Sequence, residues 1–196
     1  YTNQLSFFAE GQVRSLGFYN QFNYHELKGG VHYSFSPSIL LTVGTGSYQT
    51  YQPTGNFKLP KSNNEFRIWP QLILLHSIGA INIEQRFRTE FRWTSSGFRN
   101  RYRYRMVATY PFGNTQRGYK PWQMSVGDEV FFGNQNPYFE QNRFQVSLNY
   151  RFSPEVLMQL GYLNQTLIGS PSSTKNHYLV LGYYLEIFGK RMKHEG

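Results

Sequence analysis

The chain has 196 residues, enough for one domain and short for two. It contains no cysteine, which excludes disulfides, thiolate metal sites, cysteine nucleophiles and a lipid-anchoring cysteine. Lys and Arg outnumber Asp and Glu by 20 to 11, a balance that usually points to nucleic acid or an anionic surface.

Ten segments alternate with period 2, the spacing of a strand with two unlike faces. The first runs from about Thr2 to Arg14. Leu5, Phe7, Ala9, Gly11 and Val13 share one face and Gln4, Ser6, Glu10, Gln12 and Arg14 the other, with Phe8 the exception. The second, about 22–36, sets Val31, Tyr33 and Phe35 against Lys28, His32 and Ser34, and Ser36-Pro37-Ser38 turns the chain. The third starts at Ile39, with Leu41 and Val43 on one face. A loop rich in Pro, Gly and Asn covers 52–64. The fourth strand, about 65–76, places Phe66, Ile68, Leu72 and Leu74 opposite Arg67, Trp69 and Gln71. Pro70 cannot donate to a ladder and predicts a bulge or break there.

The fifth and sixth segments carry the strongest pattern. In 81–93, Ile81, Ile83, Gln85, Phe87, Thr89, Phe91 and Trp93 alternate with Asn82, Glu84, Arg86, Arg88, Glu90 and Arg92. In 99–110, Tyr102, Tyr104, Met106, Ala108 and Tyr110 alternate with Arg99, Arg101, Arg103 and Arg105. A helix would scatter these arginines around its 3.6-residue turn. The seventh strand covers about 122–132, the eighth 143–152, the ninth 156–166 and the tenth about 177–188. The tenth is apolar on both faces, so its register stays open. Residues 189–196 read as a polar periplasmic tail to a single 1–188 barrel domain.

No run approaches the roughly 20 apolar residues of a membrane helix; the longest are 39–44 and 72–75. Mean hydropathy is −0.55 although 18% of residues are aromatic. A membrane β-barrel has this composition, because only alternate residues meet lipid and aromatics gather at the interfaces. The fold expected is therefore all-β: a closed antiparallel up-and-down transmembrane β-barrel of ten strands. Links after strands two, four and eight are short, and those after three, seven and nine longer and polar. That places both termini in the periplasm, with 111–121 an unusually long periplasmic link. The sequence opens on YTNQLSFFAE without a signal peptide; an exported barrel is expected to have lost one.

The polar parity must then face the lumen, because Arg or Lys at mid-membrane costs about 2–4 kcal/mol. It holds Arg14, Arg67, Arg86, Arg88, Arg92, Arg99, Arg101, Arg103, Arg105, Arg143 and Arg151, with Glu10, Glu65, Glu84, Glu90 and Glu129. The expected site is a side-chain-filled ion-pair network of Glu84, Arg86, Arg88, Glu90, Arg92, Arg99, Arg101, Arg103, Arg105, Glu129 and Arg143, with some arginines lacking a carboxylate partner. Asp128 falls on the outward parity, which implies either a place at the outer rim or a bulge at Gly127 that reverses the phase locally.

EQRFR (84–88), FRNRYRYRM (98–106), GDEVFF (127–132), FEQNRF (139–144) and LGYLNQ (160–165) together resemble the domain-of-unknown-function 2490 family of Bacteroidota outer-membrane β-barrel proteins, over about residues 65–188. The resemblance implies location and fold and carries over no catalytic residue. It singles out Glu84, Arg86, Arg101, Arg103, Asp128, Glu129, Asn142 and Arg143.

The function expected is a structural or accessory subunit of an outer-membrane protein complex, touching the lipid bilayer and other outer-membrane proteins or surface lipoproteins. The first alternative is a narrow anion channel or small-solute binder. The second is a membrane-embedded hydrolase using rim histidines His25 and His177, with Glu26 beside the first, although no spacing predicts a triad. A soluble sandwich binding nucleic acid through interleaved Arg and Tyr is a further alternative. It conflicts with an apolar face that no helix would cover, so no nucleic acid is expected. No catalytic residue, metal site or cofactor is predicted, since His and carboxylates do not cluster at ligand spacing.

Overall fold

The computed structural model describes residues 4–116, 118–169 and 172–187. The tail at 189–196 and the ends of the first and tenth predicted segments (Thr2, Phe188) lie outside the described residues. Ten strands form one sheet: β1 (Leu5–Gly17), β2 (Asn20–Ser36), β3 (Ile39–Tyr51), β4 (Lys61–Ile78), β5 (Ile81–Thr94), β6 (Gly97–Phe112), β7 (Trp122–Gly133), β8 (Phe139–Arg151), β9 (Val156–Leu167) and β10 (Thr174–Leu185). Each pairs antiparallel with its neighbour in chain order. The sheet curves into an open half-barrel: among the described residues β1 and β10 are not hydrogen-bonded to each other. Across that seam the Arg14 guanidinium lies 5.9 Å from the centre of the Tyr178 ring.

The period-2 pattern becomes two faces. The concave face buries Glu26, Glu65, Arg67, Glu90, Arg92 and Glu129 around Tyr48, Trp69 and Phe131. The convex face leaves large apolar side chains in the open along every strand: Phe7, Leu27, Val43, Phe66, Phe87, Tyr102, Met124, Phe144, Leu160 and Leu181, among others. This is inside out relative to a water-soluble sheet, in which charge faces solvent and hydrocarbon is packed away.

Three details refine the sequence reading; of the bulge or break expected at Pro70, the structure shows a break on one side only. Pro70 makes no bulge: β4 is continuous through it, with Pro70 opposite Val43 of β3. On the β5 side the ladder is interrupted at Trp69 and Pro70, and Ile68↔Phe91 and Gln71↔Arg88 keep one register across the gap. A missing donor weakens one rung there without inserting a residue. The 52–64 loop is shorter than expected, because Lys61, Asn63 and Asn64 pair with Tyr51, Thr50 and Gln49. Links at the far end are not uniformly long either. β1–β2 and β5–β6 are joined by two residues each, 18–19 and 95–96. The register of β10, open in the sequence, is set by its pairing with β9. His177, Leu179, Leu181, Tyr183 and Leu185 point out, while Tyr178, Val180 and Gly182 line the concave side.

Phe8, the exception in β1, belongs on the concave face, where it stacks on His32 with ring centres 4.8 Å apart. Trp69 is fully buried there and lies over Gly44, where any Cβ would overlap the indole. Gly44→Val should therefore destabilise the fold by about 1–3 kcal/mol through overpacking. Gly11→Ala, at a site with nothing within 4 Å of a new Cβ, should be near neutral. Urea-unfolding midpoints of the two variants in detergent check this.

Candidate functional site

The register of β5 against β6 puts Arg86 opposite Arg105, Arg88 opposite Arg103, and Arg92 opposite Arg99, all on the concave face. Like charges directly across a ladder repel, and burial sharpens the effect. Carboxylates from β4, β5, β7 and β8 hold the arrangement together. Glu129 accepts from Arg86 at 2.5 Å and from Arg103 at 2.9 and 3.0 Å. Glu90 accepts from Arg103 at 2.5 Å and lies 3.6 Å from both Arg67 and Arg88. Glu65 accepts from Arg67 at 2.8 and 3.0 Å and from Arg92. Glu84 pairs with Arg105. Each of Glu129, Glu90 and Glu65 therefore bridges arginines of different strands, cross-tying β4, β5, β6 and β7.

Aromatic rings supply a second set of partners. The Arg67 guanidinium sits 3.7 Å from the Tyr48 ring centre and that of Arg88 4.9 Å from Trp69. Phe131, fully buried, faces Arg103 at 4.5 Å, Arg143 at 4.8 Å and Arg101 at 5.6 Å. A buried ring face attracts a desolvated guanidinium, at about 2 kcal/mol in favourable cases.

All eleven residues of the predicted network lie on the concave parity, and nine make ion pairs with a carboxylate or an arginine of the inner face. Arg99 and Arg143 make none among the described residues. Arg143 rests on Phe131, and the Gln141 amide, turned with its oxygen toward the guanidinium, accepts from it at 3.2 Å. Arg14 lies 4.0 Å from Glu26, and Lys28 is 2.7 Å from both Glu10 and Glu26. Arg151 stands apart at the end of β8, donating to the Pro154 carbonyl at 2.8 Å and lying 3.9 Å from Glu186.

The sequence missed two carboxylates of the network. Glu26 was read as a rim acid beside His25; it is buried and faces inward, as the even parity it shares with Lys28 requires. Glu140 shares the parity of Phe144, which faces outward. The β7–β8 register shifts between Phe131 and Phe132, so that Phe131 opposes Gln141 and Phe132 opposes Phe139. Glu140 is the extra residue of this bulge and turns inward, 2.5 Å from Arg101 and 3.7 Å from Arg92. At Gly127 no register shift occurs, so Asp128 stays on the convex face, where Asn142 donates to its carboxylate at 2.9 Å. Gln85, also outward, accepts from the Tyr104 hydroxyl at 2.9 Å.

The concave face has two unlike halves. Toward the 52–60 loop, Glu65, Arg67, Glu90, Arg92, Trp69 and Phe131 fill it. Toward the short turns it opens into a cavity of about 1110 Å³, edged by small polar side chains such as Ser77, Thr109, Ser125 and Ser147. The rim histidines bond to tyrosines: His25 Nε2 is 3.1 Å from the Tyr51 hydroxyl, and His177 Nδ1 is 2.5 Å from that of Tyr162. Among the described residues neither is hydrogen-bonded to a serine or a carboxylate. Among the described residues no three His, Asp or Glu side chains are placed to hold a metal.

A family model described as "Protein of unknown function (DUF2490)" matches residues 1–176. The match takes in the first 64 residues, which the sequence motifs left out, and ends inside β10. No curated protein and no solved structure matches the chain.

The bridging role of Glu129 gives a direct test. Glu129→Gln leaves Arg86 and Arg103 facing each other's charge and should cost about 3–5 kcal/mol, the range for breaking a buried pair. Asp128→Asn, one residue away on the other face, should change stability by less than about 1 kcal/mol. Denaturant midpoints of both variants measure the difference.

Proposed function

The chain belongs to the DUF2490 family, and from that premise and the two-faced sheet we propose that it is an integral β-barrel of the bacterial outer membrane, serving as a structural or accessory subunit. One observation carries the reading: the large apolar side chains are exposed on the convex face while the arginines and glutamates lie buried on the concave one. An apolar surface running along ten strands far exceeds the few hundred Å² a soluble monomer leaves in water. A bilayer is the solvent that matches it.

In lipid the free β1 and β10 edges would each leave backbone groups without partners, at several kcal/mol per group. Edge-to-edge pairing into a closed ten-stranded barrel removes that cost, and the Arg14–Tyr178 contact across the seam supports it. Both termini then lie on one side, as the even strand number requires, and the short turns after β2, β4 and β8 at that end favour the periplasm. The cross-tied half of the concave face acts as a rigid plug, which argues against a conducting pore. The role of accessory subunit draws on the convex face. Asp128 and Asn142 form a polar pair within an apolar belt, better satisfied against a partner protein than against acyl chains.

Cell fractionation tests the proposal. The full-length protein should remain in outer-membrane pellets after carbonate washing and should migrate differently in gels before and after boiling. Recovery in the soluble fraction would overturn the reading. Orientation is tested by a pair of substitutions on β8. Phe144→Arg, facing outward near the strand's middle, should cost about 2–4 kcal/mol and lower the yield of assembled protein. Gln145→Arg, facing the cavity, should be tolerated.

A further inference from the structure

We propose that the cavity on the open half of the concave face is a binding site for an oxyanion, a phosphate or carboxylate group held by Arg143 and the guanidinium groups around it. This goes beyond the structural role above and concerns the part of the concave face that role leaves open.

Along the concave face, Arg14, Lys28, Arg67, Arg86, Arg88, Arg92, Arg99, Arg101, Arg103, Arg105 and Arg143 meet Glu10, Glu26, Glu65, Glu84, Glu90, Glu129 and Glu140, eleven cations against seven anions. Part of the surplus lines the cavity. Arg86, Arg103, Arg105 and Arg143 gather there around Glu84 and Glu129. Those two carboxylates are committed to Arg105, Arg86 and Arg103. Among the described residues Arg143 has an aromatic face and a neutral amide for company, and no ion pair. The same shortage shows in the buried Nε groups of Arg86 and Arg105, which have no acceptor among the described residues. A guanidinium presents its donors in a planar fork that fits a phosphate or carboxylate in bidentate fashion.

The cavity has the dimensions and chemistry to admit such a group. About 1110 Å³ is the scale of a small-molecule site. The hydroxyls of Ser125 and Ser147 in the lining add donors. Phe8, Leu163, Val180 and Tyr184 add apolar surface to a lining that also carries Glu10, Gln12, Lys28 and Gln159, and offer contact for a hydrocarbon portion attached to the oxyanion. The source of the group is therefore either a free oxyanion or the head of an amphiphile.

Calorimetric titration of the purified full-length chain in a nonionic detergent tests this, with inorganic phosphate and dodecyl phosphate as probes. The expected result is one saturable site per chain whose affinity falls at least tenfold in Arg143→Gln and is unchanged in Lys120→Gln, a substitution in the 113–121 link. Arg143→Gln breaks no ion pair and should fold. Arg14→Gln, from across the same cavity, gives an independent reading with a loss in the same direction. Tighter binding of dodecyl phosphate identifies an amphiphile's headgroup; equal or tighter binding of inorganic phosphate identifies a free oxyanion. Absence of saturation with both probes, or wild-type binding by both arginine variants, overturns the proposal. Because binding is read on the isolated chain, its outcome is separate from that of the fractionation experiment.

Discussion

Three rungs of the β5–β6 ladder set arginine against arginine on a buried face, and much of the remaining architecture answers that repulsion. Neither strand could hold its register alone. Glu65 on β4, Glu90 on β5, Glu129 on β7 and Glu140 on β8 each lie between guanidiniums, and Tyr48, Trp69 and Phe131 offer ring faces where carboxylates run out. The carboxylates must reach over from neighbouring strands, so the sheet has to curve tightly enough to bring side chains of β5 within bonding distance of β8. Charge pairing and curvature are thus one requirement. A flatter sheet would leave the arginines stranded; a curved sheet without the glutamates would be forced apart.

Much of this was legible in the sequence because alternation is a local property. Strand number, the two faces and the inward direction of Arg86 through Arg105 follow from reading every second residue. What escaped depends on pairing between strands. The inward turn of Glu140 comes from a bulge created by the β7–β8 register, and nothing in FEQNRF marks it. The continuity of β4 through Pro70 rests on β3 supplying an intact ladder on the other side. The faces of β10 could not be told apart because Leu179, Val180 and Leu181 are all apolar; only its register with β9 separates them. Glu26 was misread for a different reason: its neighbour His25 drew it to the rim, although its parity already placed it beside Lys28.

The candidate site shows the same division. Composition identifies an arginine surplus, but only geometry shows how unevenly it is neutralised. One half of the concave face is cross-tied and filled, while the other keeps a cavity with Arg143 in its lining. A uniform plug and a uniform pore would both have been compatible with the residue count. Rigidity at one end leaves the other end free to carry a ligand without loosening the sheet.

The seam between β1 and β10 has a consequence for how the molecule comes together. Nine ladders join strands that are adjacent in the chain, so each can form as a hairpin with little loss of chain entropy. Pairing of β1 with β10 would join positions separated by nearly the whole chain, the one ladder whose closure entropy is large. Assembly is therefore expected to proceed by sequential addition of hairpins, with the seam as its final and slowest step. Until that step the growing sheet has two sticky edges, and a helper that shields them would act at β1 and β10 rather than at any of the inner strands.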